Sequence, residues 1–393
     1  MKKYVHVIFL MNRWEVDPRK HFIKEIIKAT NSWSDVIIIQ HSIGLLGHLF
    51  TRFNEKIIGL IKGKYKTKRL ENGALLFTPI IIFHYGIWLK HKIISFIDIY
   101  LLKFQLDHIK SKYFRDQRII LWLYIPKLYP FANRIVHDYL VYDYQDNYDF
   151  NYDGTSSRLD TIYNRMLIKE SNLVICSALT MYNIAKRINE NSILSYNGND
   201  YNTLTCHSND ISRTELSDLD KPIIGYLGGI RYWFDFELLE YLLENMKNTY
   251  IVFIGILYRN AKNNFYKLLK HKNVIWLNYV QHHQLNLYLK KFSIGIIPFK
   301  IDGFTAGVFP NKFFEYMAMG IPIVTTALPE LKIYSSLIGY SNTKEEFLDY
   351  CKEALKGKFD ILKDKYRDLA KHNTWEIRAI SINKILFSTL MNV

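Results

Sequence analysis

The sequence predicts an α/β protein of two domains, each built on a parallel sheet. Three observations carry this expectation. The chain has 393 residues, enough for two cores, and 49% of them are hydrophobic. A strand–helix–strand pattern opens the chain between Tyr4 and Gln40. After a polar stretch at residues 203–220, the same pattern restarts at Pro222 and continues to Thr326. Strands that alternate with helices imply parallel sheets covered on both faces.

In the first half, Tyr4 to Met11 reads as a buried strand. Asp17-Pro18 reads as a helix cap followed by the first helical position, and Val36 to Gln40 as the next strand. The loop Asn12 to Arg19 then lies at the carboxyl end of the first strand, where open α/β sheets bind ligands. Arg13, Trp14 and Arg19 are the candidate contacts there. Leu75 to Phe83 reads as a strand that Pro79 weakens, and Ile93 to Arg115 as a helix. Strands follow at Ile119 to Tyr124, Leu140 to Tyr144 and Leu173 to Cys176, with Ser177 as the cap of the next helix. Asp143 and Asp146 close the strand LVYDY and its following turn.

In the second half, Pro222 to Leu227 is a strand, Gly228-Gly229 a tight turn, and Asp235 the cap of a helix to Met246. Strands at Tyr250 to Ile254 and Val274 to Leu277 come next, followed by a helix at Gln284 to Lys291. Ser293 to Phe299 leads through a polar loop to Pro310, which starts a helix bearing Lys312 and Glu315 and ending at Gly320. The run IPIVTT returns as a buried strand. Backbone N–H groups at such a helix start favour phosphate. A lysine in a first helical turn is unfavourable by the same dipole logic, and an anion bound there would account for it. Glycines at 228 and 229 let the backbone approach phosphate closely, and Arg231 follows as a candidate phosphate ligand.

The formal net charge is +15, and it is unevenly spread. Residues 51–118 hold 14 Lys and Arg against 5 Asp and Glu, interleaved with Ile, Leu, Phe and Trp. That mixture suits an anionic membrane surface. Zinc-finger, RRM and helix-turn-helix signatures are missing, so nucleic acid is not an expected partner. The three cysteines show no metal or disulfide spacing, which points to a reducing, cytoplasmic setting. The first residues are too quickly polar for a signal peptide, and the longest apolar run, Ala74 to Leu89, falls short of the ~20 residues a membrane span needs.

The stretch Pro310 to Val324, P-x-K-x-x-E-Y-x-A-x-G-x-P-I-V, resembles the nucleotide-sugar site of group 1 glycosyltransferases of the GT-B architecture. The nearest likeness is to the capsule, teichuronic acid and lipopolysaccharide branch. GYLGGIRYWFDFELL resembles that family's entry to its nucleotide-binding domain. ILWLYIP, LVYDYQDNY, ESNLVICS and NGND resemble, in order, elements of its first half.

The resemblance implies two Rossmann-like domains facing each other across a cleft, with the final helix crossing back to the first domain. Residues 1–203 with 374–393 would form the acceptor domain, and residues 218–373 the nucleotide-sugar domain. The implied activity is transfer of a hexosyl group from a nucleoside diphosphate sugar to a lipid-linked or saccharide acceptor in surface polysaccharide assembly, peripherally on the cytoplasmic membrane face. Gly228, Gly229, Arg231, Tyr279, Val280, Pro310, Asn311, Lys312 and Glu315 would hold the donor, with Glu315 on the ribose hydroxyls. Arg13, Trp14 and Arg19 would meet the acceptor. No metal or other cofactor is implied, consistent with the lack of an Asp-x-Asp at a strand end. Retaining members carry a glutamate eight residues before the ribose glutamate; this chain has Gly307 there, so retention is not assigned. An inverting route needs a general base, for which Asp143 and Asp146 are the candidates.

Two other readings stay open at this stage. A sugar-nucleotide epimerase of the same fold would need no acceptor, and a non-catalytic membrane scaffold would fit a lost catalytic acid at Gly307. A dinucleotide-binding dehydrogenase is disfavoured, since MNRWEVDP after the first strand lacks the glycine fingerprint.

Overall fold

The computed structural model describes residues 2–10, 12–40, 43–44, 67–81, 92–151, 155–206 and 214–391. The chain divides into two compact units. Unit 1 comprises residues 1–149, 157–195 and 378–393, and unit 2 residues 150–156 and 196–377. The change of unit thus falls at Ser195 and Tyr196, ahead of the polar stretch that suggested it.

The described residues of unit 1 carry ten short strands: β1 (Tyr4–Phe9), β2 (Ser34–Ile39), β3 (Ile43–Gly44), β4 (Thr67–Arg69), β5 (Leu75–Phe77), β6 (Ile80–Ile81), β7 (Arg118–Leu123), β8 (Tyr139–Tyr144), β9 (Leu173–Cys176) and β10 (Ser192–Leu194). Eight of them form one sheet in the order β10-β9-β8-β7-β1-β2-β5-β4, while β3 and β6 pair separately. All pairs of the large sheet are parallel except β4 with β5. The central strands are buried along their whole length, as their mainly apolar runs require, and the two polar residues among them, His6 and Asp143, are bonded to Trp122 and Arg19. The strand expected over Leu75 to Phe83 breaks into β5 and β6, because Pro79 between them has no N–H to give a ladder. Residues 82–91, and residues 51–66 of the basic stretch, lie outside the described residues.

Unit 2 carries β11 (Ile223–Leu227), β12 (Tyr250–Ile254), β13 (Val274–Leu277), β14 (Ile294–Ile297), β15 (Ile323–Thr326) and β16 (Gly339–Ser341). They form one all-parallel sheet in the order β13-β12-β11-β14-β15-β16. Strand order reverses between β11 and β14, so the loops after these strands flank the position where such sheets bind ligands. The corresponding reversal in unit 1 lies between β1 and β7.

Helix boundaries show what local chemistry decides. Asp235 caps the helix Phe236–Asn245, accepting a hydrogen bond from the Leu238 N–H at 3.0 Å. Asp17 does not cap the first helix. That helix spans Lys20–Thr30 with Arg19 at its N-cap, and the Asp17 carboxylate instead accepts the Arg19 N–H at 2.9 Å. Ser177 is likewise displaced: Ala178 is the N-cap of Leu179–Lys186, and the Ser177 hydroxyl donates to the Gln145 carbonyl. The last helix spans Trp375–Met391. Its residues Ala379, Ile382, Leu386 and Leu390, spaced to share one face, are buried in unit 1. There the Trp33 indole donates to Asn383 at 2.9 Å and the Tyr4 hydroxyl to the Leu390 carbonyl.

Candidate active site

In unit 2 the two stretches expected to seat phosphate come together. Gly228 directly follows β11 with φ +125°, a conformation that favours glycine. A Cβ added there would lie 3.2 Å from Lys312 Cε and 3.5 Å from its Nζ. The ammonium of Lys312 is therefore beside the glycine turn. Its floor is aromatic: Nζ lies 4.8 Å from the ring centres of both Tyr226 and Phe299. Among the described residues the neighbours of this ammonium are those two rings and Glu315 one turn along, and no side chain hydrogen-bonds to it. Burial of this cation pushes its pKa down to about 8, with Glu315 one turn along pulling it back up.

The turn is held rigidly. The Tyr226 hydroxyl donates to the Gly229 carbonyl at 3.0 Å, and Gly228 N–H bonds to Ile254 O at 2.8 Å. Gly255, with φ +147°, packs so closely on Gly228 that a side chain there would overlap the Gly228 carbonyl. Gly255→Ala is therefore expected to destabilise the protein by roughly 2–3 kcal/mol, read as a lower urea midpoint. Beside the turn, the Arg231 guanidinium lies 3.5 Å from the Tyr258 ring centre. Stacking orients its planar donor fork.

The helix carrying Lys312 differs from its expected start. It spans Lys312–Ala318, with Asn311 as an N-cap that makes no side-chain cap bond, so Pro310 lies outside it. Pro310 still shapes the entry, since its carbonyl accepts the Phe313 N–H at 3.0 Å. With only seven helical residues, the buried cation and the glycine turn are the stronger anion determinants here. Glu315 is half-buried on the same helix, and Tyr316 anchors that helix to the sheet by accepting the Leu227 N–H at 2.9 Å. Tyr279 is exposed and Val280 half-exposed in the loop after β13. Gly307 closes a single 3-10 turn, Thr305–Gly307. Asp302, the nearest upstream acid, is committed to that loop, accepting the N–H groups of Phe304 and Thr305 at 2.9 Å each.

In unit 1, the candidate acceptor and base residues sort by burial. Arg13 is exposed, whereas Trp14 is buried and lies under the Lys20 ammonium. Arg19 is buried and grips Asp143 with two nitrogens, Nη2 at 2.6 and 2.8 Å and Nε at 3.1 Å. Of the three residues expected to meet the acceptor, the loop thus turns Trp14 and Arg19 inward and leaves Arg13 exposed. Asp143 has no exposed surface and also accepts from Gln145. Burial raises its pKa while Arg19 pulls it down. A carboxylate so committed is poorly placed to take a proton, which leaves the half-buried Asp146 as the more accessible acid of the pair. Sequence reasoning missed Tyr226, Phe299, Tyr258 and Gly255. Only Gly255, a glycine directly after a strand, carried a local signal.

Residues 221–355, within unit 2, match the family model described as glycosyl transferases group 1. These residues carry a group 1 glycosyltransferase domain, and the chain as a whole has the GT-B fold of two parallel-sheet domains. Along its length it is similar to TuaH of Bacillus subtilis, named as a teichuronic acid biosynthesis glycosyltransferase, with 22% identity over 94% of each chain. Among solved structures it is similar to the sucrose-phosphate synthase of Thermosynechococcus elongatus, at TM-score 0.77 and 10% identity over all of both chains. It is also similar to HepE of Anabaena, solved in complex with UDP and glucose, at TM-score 0.65 and 13% identity over 99% and 100% of the two chains.

Proposed function

We propose that this protein moves a hexosyl group from a nucleoside diphosphate sugar to a lipid-linked or saccharide acceptor, without a metal ion, during assembly of a surface polysaccharide at the cytoplasmic face of the membrane. The observation that carries this reading is the buried Lys312 ammonium, set on two aromatic rings beside the Gly228 turn and bonded to no described side chain. A buried cation is costly unless something compensates it, and a diphosphate is the dianionic group a glycine turn admits. Arg231 supplies a second cation, and Glu315 a carboxylate suited to a vicinal diol. The likeness to TuaH supports the polysaccharide setting.

In the proposed reaction the acceptor oxygen bonds to the anomeric carbon as the bond from that carbon to the diphosphate breaks. Asp146 takes the hydroxyl proton, and Lys312 and Arg231 stabilise the charge that develops on the leaving diphosphate. Nucleoside diphosphate release from a panel of sugar nucleotides, with lipid extract as acceptor source and EDTA present, tests this. Acceptor-dependent release from one donor is expected. Release that requires a divalent cation would refute the metal-independent route. Interconversion of the sugar without transfer would identify an epimerase instead.

A further inference from the structure

Unit 1 has one surface whose chemistry the donor site does not use. The helix Lys92–Tyr113 leaves Phe96, Ile97, Tyr100 and Phe104 exposed, at 48, 45, 52 and 73%. Their spacing puts them on one face of about 100°. The opposite face, Ile99, Leu102, Leu106 and Ile109, is buried. Phe96 and Tyr100 pack together with ring centres 4.5 Å apart, and the Arg134 guanidinium lies 5.5 Å from the Phe96 ring. Val136, two residues beyond Arg134, is 75% exposed. Next to the aromatic pair is a concavity of about 220 Å³ lined by Ile99, Tyr100, Lys103, Asn133 and Arg134. Two cations and no acid line it.

We infer that this face is where the protein docks on an anionic phospholipid bilayer, with a lipid phosphate between Lys103 and Arg134 and Phe96, Ile97, Tyr100 and Phe104 inserted among the acyl chains below the headgroups. The inference names the surface behind the membrane association proposed above, and it rests on that association. Charge decides the occupant. An apolar stripe bordered by a cationic concavity matches a surface that is anionic at the headgroup and apolar beneath it. No described helix is long and apolar enough to cross a membrane, so contact through this helix would be interfacial.

The test is co-sedimentation of the full chain with vesicles of phosphatidylcholine alone or with added phosphatidylglycerol. Wild type should partition onto the anionic vesicles, more weakly at high salt. Tyr100→Ser/Phe104→Ser and Lys103→Glu/Arg134→Glu should each lose about tenfold or more in partition coefficient. Thermal shift by a nucleoside diphosphate is the control for folding and for the donor site. Retained nucleotide binding with lost vesicle binding supports the docking face. Wild-type binding to neither vesicle, or variants that partition like wild type, overturns it. Self-association without lipid that the same variants abolish would also overturn it, by assigning the face to a second copy. Vesicle binding that depends on this face in a protein that binds no nucleotide supports the docking face and removes the transferase reading instead.

Discussion

Replacing Lys312 with methionine is expected to lower kcat/KM for the sugar nucleotide by about 10²–10³ while making the protein more stable. The two effects have one cause. The ammonium is buried on Tyr226 and Phe299, and its pKa falls from 10.5 to about 8. A base whose folded pKa lies below its unfolded value is disfavoured in its charged form by folding. The penalty, about 3 kcal/mol before any compensation, is complete below pH 8 and fades as pH rises from about 8 towards 10.5. Cation–π contact returns about 1–2 kcal/mol of it. Methionine keeps the stem and removes the charge, so the variant should gain about 1–2 kcal/mol at pH 7, and the gap to wild type should narrow by pH 9.5. Urea denaturation at both pH values measures this. Ligand binding has the opposite sign. A diphosphate binds the protonated lysine, so its affinity should be full below pH 8 and decline above it. A variant of unchanged activity, or one that loses stability at pH 7, would contradict this role for Lys312.

The second large effect lies in unit 1. Asp143→Ala should cost about 3–5 kcal/mol of stability, and Arg19→Met a similar amount, because each leaves its partner charged and buried. Arg19→Met with Asp143→Leu should recover most of the loss, since no lone charge then remains. Chemical denaturation of the four proteins in this cycle gives the coupling directly. Single variants within about 0.5 kcal/mol of wild type would mean that the pair is not formed in solution. The pair also bears on chemistry. Asp146→Asn should lower turnover with little change in stability, whereas Asp143→Asn should lower both.

The order of elements was legible because buried parallel strands read as unbroken apolar runs, and LVIC and YIVFI are such runs. The Gly228 turn and Lys312 were legible for a different reason. Each breaks a local preference, glycines where a strand ends and a cation where a helix begins. What stayed hidden was pairing across the chain. Nothing near Arg19 announces Asp143, 124 residues away, so a buried ion pair looked like two exposed functional groups. The same holds for the rings under Lys312, whose alignment is set by sheet order. Helix starts were misplaced by a residue or two where a side chain found a better partner than the helix end, as with Ser177 and Gln145. At Pro310 the difference is smaller still. Asn311 already has helical angles, φ −53° and ψ −42°, so only the point where the first helical hydrogen bond closes has moved.

A nucleoside diphosphate seated in unit 2 as proposed lies against Lys312 and Glu315. A thermal-shift panel of UDP, GDP, ADP, CMP and dTDP, with Mg²⁺ or with EDTA, tests it on wild type, Lys312→Met and Glu315→Ala. A ligand at 100 times its dissociation constant adds about 2.7 kcal/mol of stability, a shift readily measured. Stabilisation by one diphosphate is expected, equal with and without metal, and lost or much reduced in both variants. Folded wild type that shifts with none of the five, or variants that shift as wild type does, would contradict it.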